Sequence, residues 1–258
     1  MHGRFPIGSL TAAVAAVALV AALVVSCGSA GDVAAPTTSV TGAEPTLPVD
    51  PGAEVAGATE VRPVVDPDLE QRLRATVLSV STEGCGFVRQ GTVSIVDLAG
   101  SPLAVTNRHV VAGSTDAAVT LADGTTTRIP IGGAVVDRDA AVLDPESASV
   151  AGLTDTPLVA GPTPSVGDEV VVAGHPDGRF TAQSGRVTAV EDRVDDGGTV
   201  RVIVVDVPTT EGASGGVVVD AAGRAVGLVA ARDPDTNSAV AYPFSALTGG
   251  LESTPPSC

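Results

Sequence analysis

Tryptophan and lysine are absent from this 258-residue chain, and tyrosine and methionine occur once each beside four phenylalanines. A core without bulky aromatics has to be built from Val, Ala, Leu and Ile, the source of nearly all of the 44% hydrophobic content. Many Val-rich runs, 30 Gly and 19 Pro favour short strands joined by turns over a helical bundle. Positive charge is scarce too: 14 arginines face 30 acidic residues, for a net charge of −16. That balance argues against nucleic acid or anionic lipid headgroups as partners and fits an ordinary solvated surface. Cysteine and histidine occur three times each, with no Cys-x-x-Cys pair and no His/Cys cluster, so no metal site is indicated. No cofactor is implied and no internal repeat is visible. The length fits one or two domains.

One long apolar run exists, from Leu10 to Val25, preceded by Arg4. At about 16 residues it is short for a transmembrane helix of ~20 and close to a signal-peptide core. It ends Val24-Val25-Ser26-Cys27-Gly28, which resembles a bacterial lipobox. Residues 1–26 then form a lipoprotein signal peptide, and cleavage leaves Cys27 lipidated. The chain would be held on the outer face of the cytoplasmic membrane by acyl chains, more than one being needed for stable anchoring. The plainer reading is an uncleaved signal anchor with Cys27 incidental. Residues 27–65, rich in Pro, Ala and Thr, have no aromatic and no sustained period, and read as a disordered tether.

Chemistry concentrates in Thr106-Asn107-Arg108-His109-Val110-Val111 and Glu211-Gly212-Ala213-Ser214-Gly215-Gly216. A serine hydroxyl is a poor nucleophile unless an imidazole takes its proton. His2 lies in the signal segment, which leaves His109 and His175 to serve Ser214. Between them in sequence Asp139 leads into the apolar run Ala140–Leu143, with Asp137 and Asp144 as flanking competitors. The order His, Asp, Ser is that of chymotrypsin, distinct from subtilisin and the α/β-hydrolases. With these motifs the chain resembles a trypsin-like serine protease of the HtrA-like branch.

The resemblance implies an all-β, chymotrypsin-like fold of two six-stranded antiparallel β-barrels with the active site in the cleft between them, over residues 66–258. Apolar runs at Thr76–Val80, Gly86–Val88, Val93–Val96, Leu103–Thr106, Ala117–Leu121 and Ala140–Leu143 form one group. Glu169–Ala173, Gly185–Val190, Val200–Val207, Gly216–Val219, Ala225–Ala230 and Ala239–Tyr242 form a second, beyond the Pro/Gly-rich Thr156–Gly167. Asp123-Gly124 and Ala222-Gly223 read as hairpin turns. Short helices are expected at Asp68–Arg74, capped by Asp66 or Asp68, and at Pro243–Leu251. After the latter no room remains for the PDZ domain of typical HtrA proteins.

The roles it implies are Ser214 as nucleophile, His109 as general base and Asp139 as the holder of the imidazole. The N–H groups of Gly212 and Ser214 would form the oxyanion hole. Pro208 would sit at the base of the substrate pocket, with Thr209, Thr210, Glu211, Ala230, Ala231 and Arg232 as walls. His175, in Gly174-His175-Pro176-Asp177-Gly178, reads as a turn residue. Ala213 departs from the family pattern, which has Asp or Asn there, so the oxyanion loop loses a side chain that helps fix it. With Cys27 lipidated, Cys85 and Cys258 are left in an exported, oxidising setting. The leftover pair suggests a disulfide, two free thiols being the alternative. The same early-to-terminal pairing resembles PDZ-less, membrane-anchored relatives in actinobacteria. Function then reads as a membrane-anchored endopeptidase acting on protein or peptide substrates. Two rivals are a protease-like module that binds peptides or partner proteins without cutting them, and an acyl hydrolase acting on small esters.

Overall fold

Helix α1 (Pro67–Thr76) begins at an aspartate cap. Asp66 Oδ1 accepts from the Asp68 and Leu69 N–H groups, both at 3.0 Å, Pro67 opens the first turn, and Glu70 pairs with Arg74 one turn later. Fully buried Leu73 joins this helix to the core. The computed structural model describes residues 63–135, 138–195, 198–247, 251–252 and 258. The signal segment 1–26, Cys27 and the tether up to residue 62 lie outside the described residues, as does Asp137. Among the described residues no helix is long and apolar enough to cross a membrane.

The first barrel contains β1 (Val77–Gly84), β2 (Phe87–Leu98), β3 (Ser101–Thr106), β4 (Asp116–Thr120), β5 (Thr126–Val135) and β6 (Ala141–Leu143). They close in the order β1-β4-β5-β6-β3-β2, with β2 returning to β1. Two short helices interrupt it: α2 (Arg108–Val111) after β3, and α3 (Pro145–Val150), capped by Asp144. The linker carries β7 (Leu158–Val159), which pairs in parallel with β2, and then Ala160 bridges to Ala225 of the second barrel. That barrel contains β8 (Glu169–Gly174), β9 (Thr181–Asp195), β10 (Gly198–Pro208), β11 (Val217–Asp220), β12 (Ala225–Arg232) and β13 (Ser238–Pro243). It closes in the order β10-β13-β12-β11-β8-β9. A final strand, β14 (Leu251–Glu252), pairs with β5.

The expected two barrels are present, and all six strands of the second match the apolar runs. In the first barrel the count of six is reached differently. Phe87-Val88 of the run Gly86–Val88 and all of Val93–Val96 belong to one 12-residue strand, β2, while β5 matches none of the apolar runs. β2 is entered from β1 by a two-residue turn at Cys85-Gly86, with φ of 54° and 78°, the primed-turn geometry that suits a right-twisted hairpin. β5 escaped because Thr126-Thr127-Arg128-Ile129-Pro130 breaks the apolar alternation. The C-terminal helix expected over Pro243–Leu251 is a single 3-10 turn, Phe244–Ala246, and Leu251 is already in β14.

Valine fills the interior. Leu78, Val80, Val93, Ile95 and Val119 pack inside the first barrel, and Val170, Val172, Val187, Ile203 and Val205 inside the second. A third cluster joins Val96, Val105 and Val142 of the first barrel to Val202, Val204 and Val217 of the second, with Leu73 among them. β2 is therefore buried on both faces. Val93 and Ile95 enter the first barrel, whereas Thr92 and Ser94, fully buried themselves, hydrogen-bond to Gly212 and Gly215 of the second. Cys85 and Cys258 form a disulfide with a Cα–Cα distance of 5.6 Å across a sequence separation of 173. It lies against Gly113, where any Cβ would overlap both sulfurs.

Candidate active site

β3 ends at Thr106, and buried Asn107 leads the chain into α2. Its side-chain amide donates to the Asp139 carbonyl at 2.7 Å, so the segment before β6 is tied to the start of the helix. One oxygen of the Asp139 carboxylate accepts the His109 backbone N–H at 2.9 Å, and the other lies 2.7 Å from His109 Nδ1. This two-point grip fixes the ring and makes Nδ1 the proton-bearing nitrogen of the neutral imidazole, leaving the Nε2 lone pair available. The imidazole is 50% exposed and the carboxylate 28%, so the pair faces a solvent-reached cleft. Asp144 is engaged elsewhere, as the α3 cap that accepts the Ser147 N–H at 2.8 Å. That cap, with its hydrogen bonds from Ser147, holds its carboxyl below the usual aspartate range.

The turn bearing Ser214 joins β10 to β11. Gly212 has φ of +89°, and a Cβ there would come within 2.5 Å of the His175 carbonyl oxygen, so glycine is demanded by both backbone and space. Neither the Gly212 nor the Ser214 N–H donates to an acceptor among the described residues. The carbonyls on the far side of the same peptide planes are both occupied. Glu211 C=O accepts the Asp177 N–H at 2.8 Å, and Ala213 C=O accepts the Gly216 N–H at 2.9 Å. In a trans peptide the N–H and C=O point opposite ways, so these bonds aim two free donors from one turn. Ser214 lies across Gly91 from the helix of His109: a Cβ on Gly91 would be 2.8 Å from Val110 Cγ1 and 3.2 Å from the Ser214 carbonyl. His109 and Asp139 are in contact; no hydrogen bond closes the Ser214 hydroxyl onto His109 among the described residues.

A cavity of about 340 Å3 opens beside Ser214. Thr209, Thr210, Glu211, Ala231 and Arg232 line it, as expected from the sequence. Pro208 does not: it is exposed at the end of β10, beyond a bulge where it pairs with Ser238, and the buried Thr209 lines the cavity instead. Ala230 is also absent from the lining, because an irregularity between Val229 and Ala231 leaves it packed in the core. Val229, Ala213 and Asp177 take part and were missed. Asp177 was hidden because it comes from the turn after β8, remote in sequence, with its carboxylate accepting the Thr210 hydroxyl at 3.0 Å. The Arg232 guanidinium hydrogen-bonds Asn237 Oδ1 at 3.1 Å.

His175 belongs to that turn rather than to the His109 pair. Its Nε2 lies 3.1 Å from the Val77 carbonyl, and its ring meets Phe180 edge-on at 5.7 Å. Burial pushes it below the usual histidine range, the Val77 carbonyl opposing this and Arg74 adding to it. Among the described residues no three His, Cys, Asp or Glu converge as a metal site.

A model of the trypsin-like peptidase domain matches residues 84–228. "Protease Do-like 1, chloroplastic" of Arabidopsis thaliana is 32% identical over 173 residues, 64% of this chain and 35% of that protein. Among solved structures, an HtrA-type protease AlgW with a tripeptide superposes with a TM-score of 0.60 at 24% identity, covering 70% of this chain and 60% of its own. The active form of the Rv3671c protease from M. tuberculosis gives 0.58 at 24%, covering 78% and 96%. The chain thus spans about a third of the Arabidopsis relative and three fifths of the AlgW chain. At these identities the structural likenesses speak for the fold.

Proposed function

Since this chain belongs to the family of trypsin-like peptidase domains, we propose that it is a serine endopeptidase acting on protein or peptide substrates. The observation that carries the reading is the pair of carbonyl-anchored N–H groups at Gly212 and Ser214, without acceptors among the described residues, beside an Asp139-oriented imidazole. In the proposed cycle Ser214 Oγ attacks the scissile carbonyl carbon while its proton passes to His109 Nε2. The C=O electron pair moves to oxygen, which receives the two N–H bonds. The C–N bond then breaks, His109 returns the proton to the departing amine, and an acyl-Ser214 ester remains. Water, deprotonated by the same imidazole, cleaves that ester and regenerates the hydroxyl. Asp139 stays ionised and stabilises the imidazolium.

The open contact between Ser214 and His109 favours one alternative, a catalytically weak module that binds peptides or partner proteins without cutting them. Hydrogen bonds of this kind often tighten only in the substrate complex. A fluorophosphonate probe decides: labelling that disappears in Ser214→Ala supports the peptidase, and no labelling of either form supports the binder.

Specificity follows from the cavity. The buried part of its lining, Thr209, Ala213 and Val229, is uncharged, and the charged members Asp177, Glu211 and Arg232 are exposed and of mixed sign, which offers no buried counter-ion to Lys or Arg. Cleavage is expected after Ala, Val, Leu or Thr, with broad tolerance, because one misfit methylene is worth only ~1–3 kcal/mol in such a pocket. Peptide-library digestion concentrated after Arg or Lys would overturn this assignment.

The proposal extends to location. The Val24–Gly28 motif supports export, lipidation at Cys27 and attachment to the outer face of the cytoplasmic membrane, with 27–65 as the spacer. Cys27→Ser should leave an unprocessed precursor that incorporates no labelled fatty acid. Normal processing and membrane retention of that variant would contradict the lipid anchor.

A further inference from the structure

Ala213 poses a question: with a methyl where the family has a carboxamide or carboxylate, something else must hold the oxyanion turn. The Ala213 side chain is buried and offers no hydrogen bond. On the other side of the turn stands Thr92, fully buried in the middle of β2. Its hydroxyl accepts the His175 N–H at 2.9 Å and donates to the Gly212 carbonyl at 2.8 Å. Its own N–H donates to the Ser214 carbonyl at 2.8 Å, and its carbonyl accepts the Thr106 hydroxyl at 2.7 Å. A Cβ on Gly215 would overlap that carbonyl, so the turn is pressed directly onto Thr92.

We propose that Thr92 is a positioning residue for catalysis, its hydroxyl locking the Gly212 peptide so that the Gly212 and Ser214 N–H groups face the developing oxyanion. This rests on the peptidase reading and deepens it. The peptide plane between residues 212 and 213 separates the two that carry the donors. If it rotates, ψ of Gly212 and φ of Ala213 change, and unless those changes cancel, the flanking planes that carry the donors turn as well. That plane is held at both ends: the Ala213 N–H donates to the Thr210 carbonyl at 3.2 Å within the turn, and the Thr92 hydroxyl pins the Gly212 carbonyl at 2.8 Å from the opposite barrel. The same hydroxyl holds the His175 N–H, at the start of the turn whose Asp177 N–H fixes the Glu211 carbonyl. The two arms of the clamp therefore meet on a single oxygen. Valine is nearly isosteric with threonine but leaves two buried backbone groups unpaired. The plane then keeps only the longer Ala213 N–H to Thr210 bond and can shift, while the cavity keeps its lining.

The test compares Thr92→Val and Thr92→Ser in the full chain, using an internally quenched peptide with Val before the scissile bond. A peptide boronic acid serves as a probe, since its tetrahedral adduct on Ser214 places an oxygen between the two donors. Removal of one oxyanion donor typically costs ~100–1000-fold in rate, so Thr92→Val should lower kcat by about 100-fold or more. KM should change by less than about threefold, and boronate affinity should fall with kcat, because only the tetrahedral state uses the donors. Thr92→Ser should stay within about fivefold of the unaltered protein, since it retains the hydroxyl that makes both bonds. Merely structural weakening would lower the melting temperature of both variants without this kcat-specific, boronate-matched loss. Retention of kcat within about threefold in a folded Thr92→Val protein, or a Thr92→Ser variant as slow as Thr92→Val, overturns the assignment. If Thr92→Val does not fold, the serine variant decides alone: folded but slow, it refutes the role, and folded and fast, it supports it. An unaltered protein with neither turnover nor fluorophosphonate labelling removes the peptidase reading, and this assignment with it.

Discussion

Ser214→Ala, His109→Ala and the double variant are expected to retain nearly the same very low peptidase activity, each about 10^6-fold below the unaltered protein. The equality, more than the size of the loss, is the informative part. Nucleophile and base act in one concerted proton transfer, so removing either leaves nothing for the other to assist. Asp139→Ala should cost about 10^4-fold, because His109 would lose two hydrogen bonds that set its ring orientation and tautomer, not the base itself. Losses that add in the double variant would show that the two residues do not work together. Loss of turnover in His175→Ala, with Gly212 and its neighbours still in place, would mean that the wrong histidine has been chosen. The geometry argues otherwise, since His175 turns its Nε2 to the Val77 carbonyl.

Cys258→Ser should produce the largest fall in stability of any single substitution outside the buried core. The bond ties the final residue to the β1–β2 turn across a separation of 173 residues, so its absence frees a very long loop in the unfolded chain. On the chain-entropy account this is worth up to ~5 kcal/mol, and losses of ~2–5 kcal/mol are typical for native bridges. For a domain of this size each kcal/mol shifts the melting temperature by about 2–4 °C, giving an expected drop of roughly 5–20 °C by calorimetry. Cys85→Ser should match it, and the double variant should add nothing, because all three lack the same bond. Unchanged melting in Cys258→Ser would show that the bridge contributes nothing to stability. The effect should also reach the active site. The sulfurs rest on Gly113, two residues beyond the helix that carries His109.

Legibility in the sequence tracked how local each signal is. The Thr-Asn-x-His and Gly-x-Ser-Gly-Gly motifs could be read because a catalytic side chain needs a particular backbone around it, and that backbone needs particular residues. Gly212 is the clearest case, where φ of +89° and the His175 carbonyl both exclude a side chain. The second barrel was readable for a similar reason, with Val-rich runs separated by turn residues. What stayed hidden depends on partners far away in the chain. β5 contains Pro130 and two threonines, and it is a strand because β4 and β6 flank it. Asp177 lines the cavity because a turn from β8 folds over Thr210, and Pro208 leaves it because a bulge shifts the end of β10. Thr92 gave no signal at all: a threonine in a strand is ordinary until the second barrel is placed against it.

The two-faced burial of β2 gives one segment of chain two masters. Its odd positions, Val93 and Ile95, keep the first barrel closed, while its even positions, Thr92 and Ser94, hold the turns of the second. Side chains alternate along a strand, so a slip of one residue would carry hydroxyls into the valine core and methyls under the oxyanion turn. Inheritance must therefore treat the segment as a unit of fixed length. Substitutions there can be sorted by parity into those that trade away endurance and those that trade away rate, but an insertion or deletion forfeits both together. Lineages of this protein should vary freely in loop length almost anywhere except along this short ruler, against which the two halves of the molecule are measured.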